Sequence, residues 1–347
     1  MAETWYAIVV FLLTGYVVLD GFDLGAGTLH LFVARTDPER RQVLSAIGPY
    51  WDGNEVWLIA AGGALFVAFP RLLATGISGF YFAIFLVVWS LILRGVSLEF
   101  RSHVEDPLWR RSWDFFFAVA SALLPFFLGA ALGNLLRGVP LTAEGWFELP
   151  LFTDFTAREP AGILDWYTIL VGAFASAALT AHGAAFLVWK TDGPVRARSR
   201  SAARRAFLVV AVLWPIVTLA TVRVRPGFLS GLATRPAAAV SAGAALAALV
   251  GVFRALARDR DRAAFAASSV FLIGLSVATA ACVYPVMLLS SGDASLSLTV
   301  EEAAADARGL RTAFVWLLLA LPPAILWFTI VWRTHRGKVG AAAEGGY

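Results

Sequence analysis

The sequence is poor in charged residues and in cysteine. Charged side chains make up 15% of its 347 residues, whereas a soluble domain carries about 25%. So few charges cannot cover the surface of soluble domains of this length, and the composition excludes a soluble globular protein. The single cysteine, Cys282, excludes both a disulfide framework within the chain and a CxxC metal or redox motif.

Haem ligands are also scarce. Of the four histidines, only His30 and His182 fall in apolar segments, because His103 and His335 lie in predicted loops. Met287 is the only methionine after the first residue. Haem iron is held by axial ligands such as histidine or methionine. We therefore expect this chain alone to bind no cofactor and no metal, and we interpret His182 as a hydrogen-bonded core residue.

Long apolar runs take the place of the missing charges. Hydrophobic residues make up 59% of the chain, and apolar segments of about 20 residues, each able to cross a hydrocarbon core of ~30 Å, recur along it. The sequence therefore predicts an all-α polytopic membrane protein with nine transmembrane helices and no cleaved signal peptide. The predicted spans run near residues 5–33, 48–69, 72–93, 115–136, 163–189, 206–222, 237–257, 265–290 and 312–332. Prolines inside these spans, which predict kinks, are Pro125, Pro215, Pro285, Pro322 and Pro323.

The spans form a single integral membrane domain over residues 1–347. Polar motifs are frequent over about residues 1–141 and sparse from about 142 to 332. Residues 333–347 form a short tail. Of the 28 lysines and arginines, 20 follow odd-numbered spans. The positive-inside rule then places the C-terminus and its tail in the cytoplasm and the N-terminus outside.

This placement of basic residues accounts for the net charge of +4 without a nucleic-acid partner, since the chain carries no nucleic-acid motif. The arginines at 196–205 form the densest basic cluster, and we interpret them as topology signals. A binding site for an acidic lipid or a partner at this cluster is the alternative.

Four acidic residues fall inside predicted spans. Asp20 and Asp23 lie in the first span, and Asp52 and Glu55 in the second. An acid in mid-span costs roughly 2.5–3.5 kcal/mol on insertion scales, and it should therefore face the bundle interior or water. Each pair has i, i+3 spacing, which puts both members on one helix face. The four acids predict a proton or cation path from the cytoplasm; the structural alternative pairs Glu55 with Arg94.

Small residues on the first span predict close helix packing. Gly21 and Gly25 form a GxxxG step, with Gly15 and Gly27 on either side. Glycine at this spacing lets a second helix approach the backbone closely. We therefore expect the first span to lie in the bundle interior.

Six polar motifs follow one another along the chain between residues 19 and 191. They are LDGFDLGAG (19–27), GPYWDGNEVWLIAAGGALFVAFP (48–70), LRGVSLEFR (93–101), DPLWRRSWD (106–114), GNLLRGVPL (133–141) and HGAAFLVWKT (182–191). This series resembles subunit II of the bd-type quinol oxidases over nearly the whole chain. The WDGNEVW heptad is its most specific part, since such a polar run rarely opens a membrane span.

The resemblance implies a respiratory complex of the bacterial plasma membrane that oxidises quinol and reduces O₂ to water with cytoplasmic protons. It implies a haem-free fold of two four-helix bundles and one additional helix, which is not catalytic alone. The obligate partner, subunit I, would carry haem b, haem d and the quinol site. Membrane lipid would surround both subunits. The resemblance leaves open whether this chain holds a structural quinone and whether the complex includes a small accessory single-helix subunit.

The resemblance also assigns residues. It places Asp52 on a proton path that enters at the subunit interface, and the other in-span acids, Glu55, Asp23 and Asp20, are further candidates. Glu55 stands where some relatives have glutamine, which favours Asp52 as the principal carrier. Candidates for structural polar or interface positions are Trp51, Asn54, Trp57, Arg94, Glu99, Arg101, His182 and Lys190.

A stand-alone proton- or cation-coupled secondary transporter is the alternative function for the same acids. Transporters of that kind often have matched broken helices in two halves of the chain. Here the in-span acids occur in one half only. The oxidase subunit is therefore the favoured hypothesis.

Overall fold

A computed structural model describes residues 1–158 and 160–340, so that part of the predicted tail, 341–347, lies outside the described residues. The described chain is mainly α-helical, with connecting loops, a 3₁₀ turn at Ala294–Leu296 and two short paired strands, β1 (Val286–Leu288) and β2 (Leu298–Thr299). The helices are α1 (Ala2–Val33), α2 (Asp37–Ile47), α3 (Trp51–Ala68), α4 (Pro70–Gly79), α5 (Tyr81–Phe100), α6 (Pro107–Arg137), α7 (Trp166–Lys190), α8 (Gly193–Val224), α9 (Ser230–Thr234), α10 (Pro236–Ala257), α11 (Asp261–Val283), α12 (Val300–Ala303) and α13 (Ala307–Thr334).

The helix lengths agree with a multi-pass membrane protein. Within the described residues, eight helices are long and apolar enough to cross a membrane, and α3 with α4 adds a ninth if the pair is one bent span. The axes of α3 and α4 differ by 119°. Pro70 causes the break: it takes the first position of α4, where its missing N–H costs nothing, but it cannot continue α3.

This break corrects the predicted third span at 72–93. Its first part belongs to α4, and the spanning helix is α5, which begins only at Tyr81. The eighth predicted span, 265–290, was also too long, because α11 ends at Val283 and Tyr284 is extended before Pro285. The prolines that do lie inside helices are Pro125, Pro215, Pro322 and Pro323.

The spanning helices form two groups of four and one outlying helix. The first group holds α1, the bent α3–α4 pair, α5 and α6, and the second holds α7, α8, α10 and α11. Helix α1 joins the groups, since it packs on α3, α6, α7 and α11. Helix α13 packs mainly against α3, and its apolar stretch is not buried within the described chain. The orientation of the termini stays a prediction.

Glycine allows the close approach of α1 and α7. A Cβ atom at Gly25 would overlap the carbonyl oxygen of Leu179 and lie 2.8 Å from the Cα of Gly183. A Cβ at Gly183 would overlap the backbone nitrogen of Ala26. The two backbones are therefore in direct contact, as the GxxxG step in the sequence predicts.

The end of the described chain folds back onto the helix ends. The N–H of Val339 donates to the carbonyl of Lys190 at 2.7 Å, and the amide of Gln42 donates to the carbonyl of Val339 at 2.6 Å. Thr191 and Val339 also form an isolated bridge. We call these contacts the C-terminal clasp. They connect α2, α7 and the segment after α13 at one end of the bundle.

Glu39 fixes the start of α2 and links it to α8. Its carboxylate accepts hydrogen bonds from the N–H groups of Arg35 at 2.6 Å and Thr36 at 3.2 Å, and it pairs with Arg198 at 2.6 Å. The Arg198 hydrogen bond, together with the two backbone N–H groups, outweighs desolvation and lowers the pKa of Glu39 below its ordinary value. The contacts of Glu39 therefore favour the ionised carboxylate.

We expect Glu39→Gln to lower the stability of the complex by up to about 1 kcal/mol at pH 7. The stabilisation by ionised Glu39 is present above its unfolded pKa of about 4.3 and is lost as the pH falls through the lower folded value. Thermal unfolding of wild type and variant between pH 7 and pH 4 checks this. A difference that grows on acidification would contradict the sign.

Candidate functional site: buried acids between α1, α3 and α5

A buried ion pair joins α1 to α5. Nη1 of Arg94 donates to Oδ2 of Asp20 at 2.8 Å, and Nη2 lies 2.7 Å from Oδ1. Both side chains have no exposed surface. Glu55 of α3 approaches the same Nη1 at 3.4 Å. Arg94 thus faces both acids, and its principal partner is Asp20 rather than Glu55.

Asp23 lies one turn further along α1, with a neutral partner. The amide of Asn54 donates to Oδ2 of Asp23 at 2.7 Å and to the carbonyl of Leu19 at 3.0 Å. Oδ1 of Asp23 has no hydrogen-bond partner, although the residue is fully buried. No cationic side chain of the described residues forms an ion pair with Asp23.

The acids of α3 lie between this buried group and the surface of the chain. Asp52 is exposed in the first turn of α3, and it forms no ion pair within the part of the chain that the structure describes. Glu55 follows one turn later with a side chain that is 23% exposed, and it reaches Arg94. The order from surface to interior is therefore Asp52, Glu55, then the Arg94–Asp20 pair.

A second charged cluster connects α1, α2, α5 and α6. Asp114 is its centre: its carboxylate accepts from Nε of Arg101 at 2.6 Å, Nη1 of Arg40 at 2.8 Å and Nε2 of His30 at 2.6 Å. Arg101 also donates to Asp37 at 2.7 Å. We call these five residues the Asp114 cluster. It ties four helices together at one end of the first group.

The sequence prediction missed Asp114 because it placed this residue outside the span at 115–136. Helix α6 instead begins at Pro107, so that Asp114 lies in its second turn and is buried. Two signals were present: Asp114 ends the DPLWRRSWD motif, and His30 continues the helix face of Asp23. Of the predicted polar set, only Arg101 belongs to the Asp114 cluster.

His182 occupies the core position that the sequence predicts. Its Nε2 lies 2.9 Å from the carbonyl of Val18, which can only accept, so this nitrogen carries the hydrogen. Its Nδ1 lies 2.7 Å from the hydroxyl of Ser268, and the ring stacks on Phe265 with centroids 4.9 Å apart. His182 therefore connects α1, α7 and α11.

The remaining predicted positions lie apart from the buried acids. Trp51 is half-buried beside Gly95, and Trp57 packs against Gly15 on α1. Glu99 is exposed near the end of α5 and forms no ion pair among the described residues. Glu99 therefore does not belong to either charged cluster.

These residues do not fit an axially ligated haem. Both ring nitrogens of His182 are engaged, and Nε2 of His30 is held by Asp114. Met287 lies in β1, outside the spanning helices. Within the described residues, no group of three or more His, Cys, Asp or Glu side chains is arranged to hold a metal ion.

Comparison with known proteins shows the relationship. The family model of the cytochrome bd terminal oxidase subunit II matches residues 1–335. This chain belongs to that family. Subunit 2 of the cytochrome bd-I ubiquinol oxidase of Escherichia coli K12 is 32% identical, over 94% of this chain and 91% of the relative. Subunit 2 of the cytochrome bd ubiquinol oxidase of Bacillus subtilis is 35% identical over 60% of each chain.

A solved structure shares the fold of this subunit II. A chain of the bd oxidase from Geobacillus thermodenitrificans superposes with a TM-score of 0.73 at 18% identity, covering 96% of this chain and 99% of its own. Subunit II is thus part of a terminal quinol oxidase, a haem-carrying oxidoreductase complex with a partner subunit. Family membership sets aside the stand-alone transporter.

Proposed function

We propose that subunit II conducts protons from the cytoplasm to its partner and stabilises that partner in the complex. The observation that carries this proposal is the order of acids on α3 and α1. Exposed Asp52 is followed by partly buried Glu55 and then by the buried Asp20–Arg94 pair. An acid at the surface can exchange protons with water, and an acid one turn deeper can receive them.

The contacts divide the four acids by role. Asp20 is committed to the guanidinium of Arg94, and we assign it a positioning role. Asp52 and Glu55 share one face of α3, the first with an exposed and the second with a partly exposed side chain, and we assign both as proton carriers. Asp23, which has one carboxylate oxygen without a hydrogen-bond partner, is the candidate for a proton carrier deeper in the bundle.

The rest of the assignment rests on family membership. Subunit I holds haem b, haem d and the quinol site, and the complex reduces O₂ to water in the bacterial plasma membrane. The positive-inside rule favours an N-terminus outside and a C-terminus in the cytoplasm, and the first turn of α3 with Asp52 is then at the cytoplasmic side. This supports uptake from the cytoplasm.

Asp52→Asn tests the proton role. We expect quinol-driven oxygen uptake by the purified complex to fall at least about tenfold, because asparagine cannot carry a proton. Haem content and subunit stoichiometry should stay unchanged, since Asp52 holds no other described side chain. Glu99→Gln is the matched control, because it removes an exposed acid outside the clusters.

Normal oxygen uptake in the Asp52→Asn complex would contradict the proton role. Loss of haem and of the stable complex would instead assign Asp52 to assembly. Uptake that falls equally in Glu99→Gln would show a general effect of surface charge. The three results are read from the same preparations by oxygen electrode, haem spectrum and gel.

A further inference from the structure

A cavity of about 670 Å³ separates α13 from the ends of α3, α7 and α11. Its lining includes four aromatic side chains, Trp57, Trp189, Phe328 and Trp332. Helix α13 packs mainly on α3, and near the cavity it also contacts α7, where Trp332 stacks on Trp189. The proton path does not use it.

The mouth of the cavity carries basic side chains and no acidic one. Arg262, Arg333 and Arg336 line it together with Lys190. None of the three arginines forms an ion pair within the described part of the chain. The cluster at 196–205 differs, since its paired members contact Glu39, Asp259 and Asp261. Arg204 and Arg205 of that cluster also form no ion pair among the described residues, but they do not line the cavity, whose own three arginines are all without a described counter-charge.

Lys190 strengthens the case for an anionic ligand. The residue is only 3% exposed, and its ammonium donates to the hydroxyl of Tyr50 at 3.1 Å and to the carbonyl of His335 at 2.6 Å. Both acceptors are neutral, and no carboxylate of the described chain pairs with this ammonium. A buried cation without a counter-charge is costly, and an anion in the cavity would offset that cost.

The dimensions fit an amphiphile rather than a soluble anion. Along α13, the lining runs from Ile325 to Arg333, which is about 12 Å at the helical rise. The cavity is thus basic at the helix ends and apolar one or two turns deeper. A phosphate with attached acyl chains has this order of charge and hydrocarbon, and basic pockets between spanning helices bind such headgroups.

We propose that this cavity binds a phospholipid with a net negative headgroup. The phosphate lies among Arg262, Arg333, Arg336 and the ammonium of Lys190, and an acyl chain lies against Trp57 and Phe328. The lipid fills the space between α13 and the bundle. This inference does not depend on the proton role of Asp52.

The test uses the complete, delipidated complex and two triple variants. R262Q/R333Q/R336Q removes the arginines of the cavity, and R111Q/R205Q/R258Q removes the same charge from exposed positions elsewhere. Titration with phosphatidylglycerol, followed by native mass spectrometry, measures the bound lipid. Each arginine near a lipid surface is worth roughly fivefold in affinity, so we expect the first variant to bind on the order of 100-fold more weakly. The control should bind like wild type.

Equal weakening in both variants, or equal binding of phosphatidylcholine to wild type, would overturn the proposal. So would a cavity that accepts phosphatidylglycerol only after residues 341–347 are deleted, because the chain's own C-terminus would then be the occupant. Unchanged oxygen uptake in the first variant, together with lost lipid, supports a lipid site separate from the proton path.

Discussion

Arg94→Gln is expected to prevent accumulation of the folded complex. The substitution leaves Asp20 buried without its principal counter-charge, since the remaining neighbour of Arg94, Glu55, is itself an acid. Removing one partner of a buried ion pair costs about 3–5 kcal/mol. That is a large part of the 5–15 kcal/mol by which folded domains are typically stable. Quantification of subunit II in membranes and the thermal unfolding midpoint of any purified complex measure the loss.

The double variant Asp20→Asn with Arg94→Gln separates a charge effect from a packing effect. Neutralising both partners removes the uncompensated charge, so that the double variant should be more stable than either single one. If it is no better than Arg94→Gln, the guanidinium contributes through packing and not through Asp20. Glu55→Gln, which removes the weaker neighbour, should leave the amount of complex near that of wild type.

Gly25→Val is expected to abolish the packing of α1 against α7. The new Cβ would overlap the carbonyl oxygen of Leu179, which is backbone and cannot rotate away. Overpacking of a well-packed contact costs about 1–3 kcal/mol where side chains can move, and more where they cannot. We expect no stable complex, as measured by size-exclusion chromatography after detergent extraction.

Gly243→Ala is the matched control for this substitution. Gly243 lies in α10, and a Cβ there would meet no atom within 4 Å. Alanine should be neutral or stabilising by up to about 1 kcal/mol, because it has the higher helix propensity. A Gly25→Val complex as stable as the Gly243→Ala complex would show that α1 and α7 separate without loss.

Hydropathy predicted nine spans, which the described helices match when the bent α3–α4 pair counts as one span, and the glycine spacing predicted the interior position of α1. Hydropathy could not predict the bend at Pro70, because the hydropathy of an apolar stretch is the same whether its helix continues or bends. The third span was therefore placed too early. The predicted i, i+3 pairs did bring Asp20, Asp23 and Glu55 to one region, since periodicity fixes which residues share a helix face.

The Asp114 cluster shows the limit of local patterns. The residues before 115 are polar and aromatic, which resembles a loop in a hydropathy profile. Asp114 is buried only because Arg101, Arg40 and His30 arrive from three other helices. Such long-range partners cannot be assigned from the spacing of residues within one segment.

The C-terminal clasp has a consequence for biosynthesis. Ribosomes make a chain from its N-terminus, and early segments fold while later ones are still being made. Gln42 and Lys190 are therefore in place long before Val339, the residue that they bind. This end of the bundle can therefore close only after α13 and Val339 have been made, and until then α13 is held chiefly by α3.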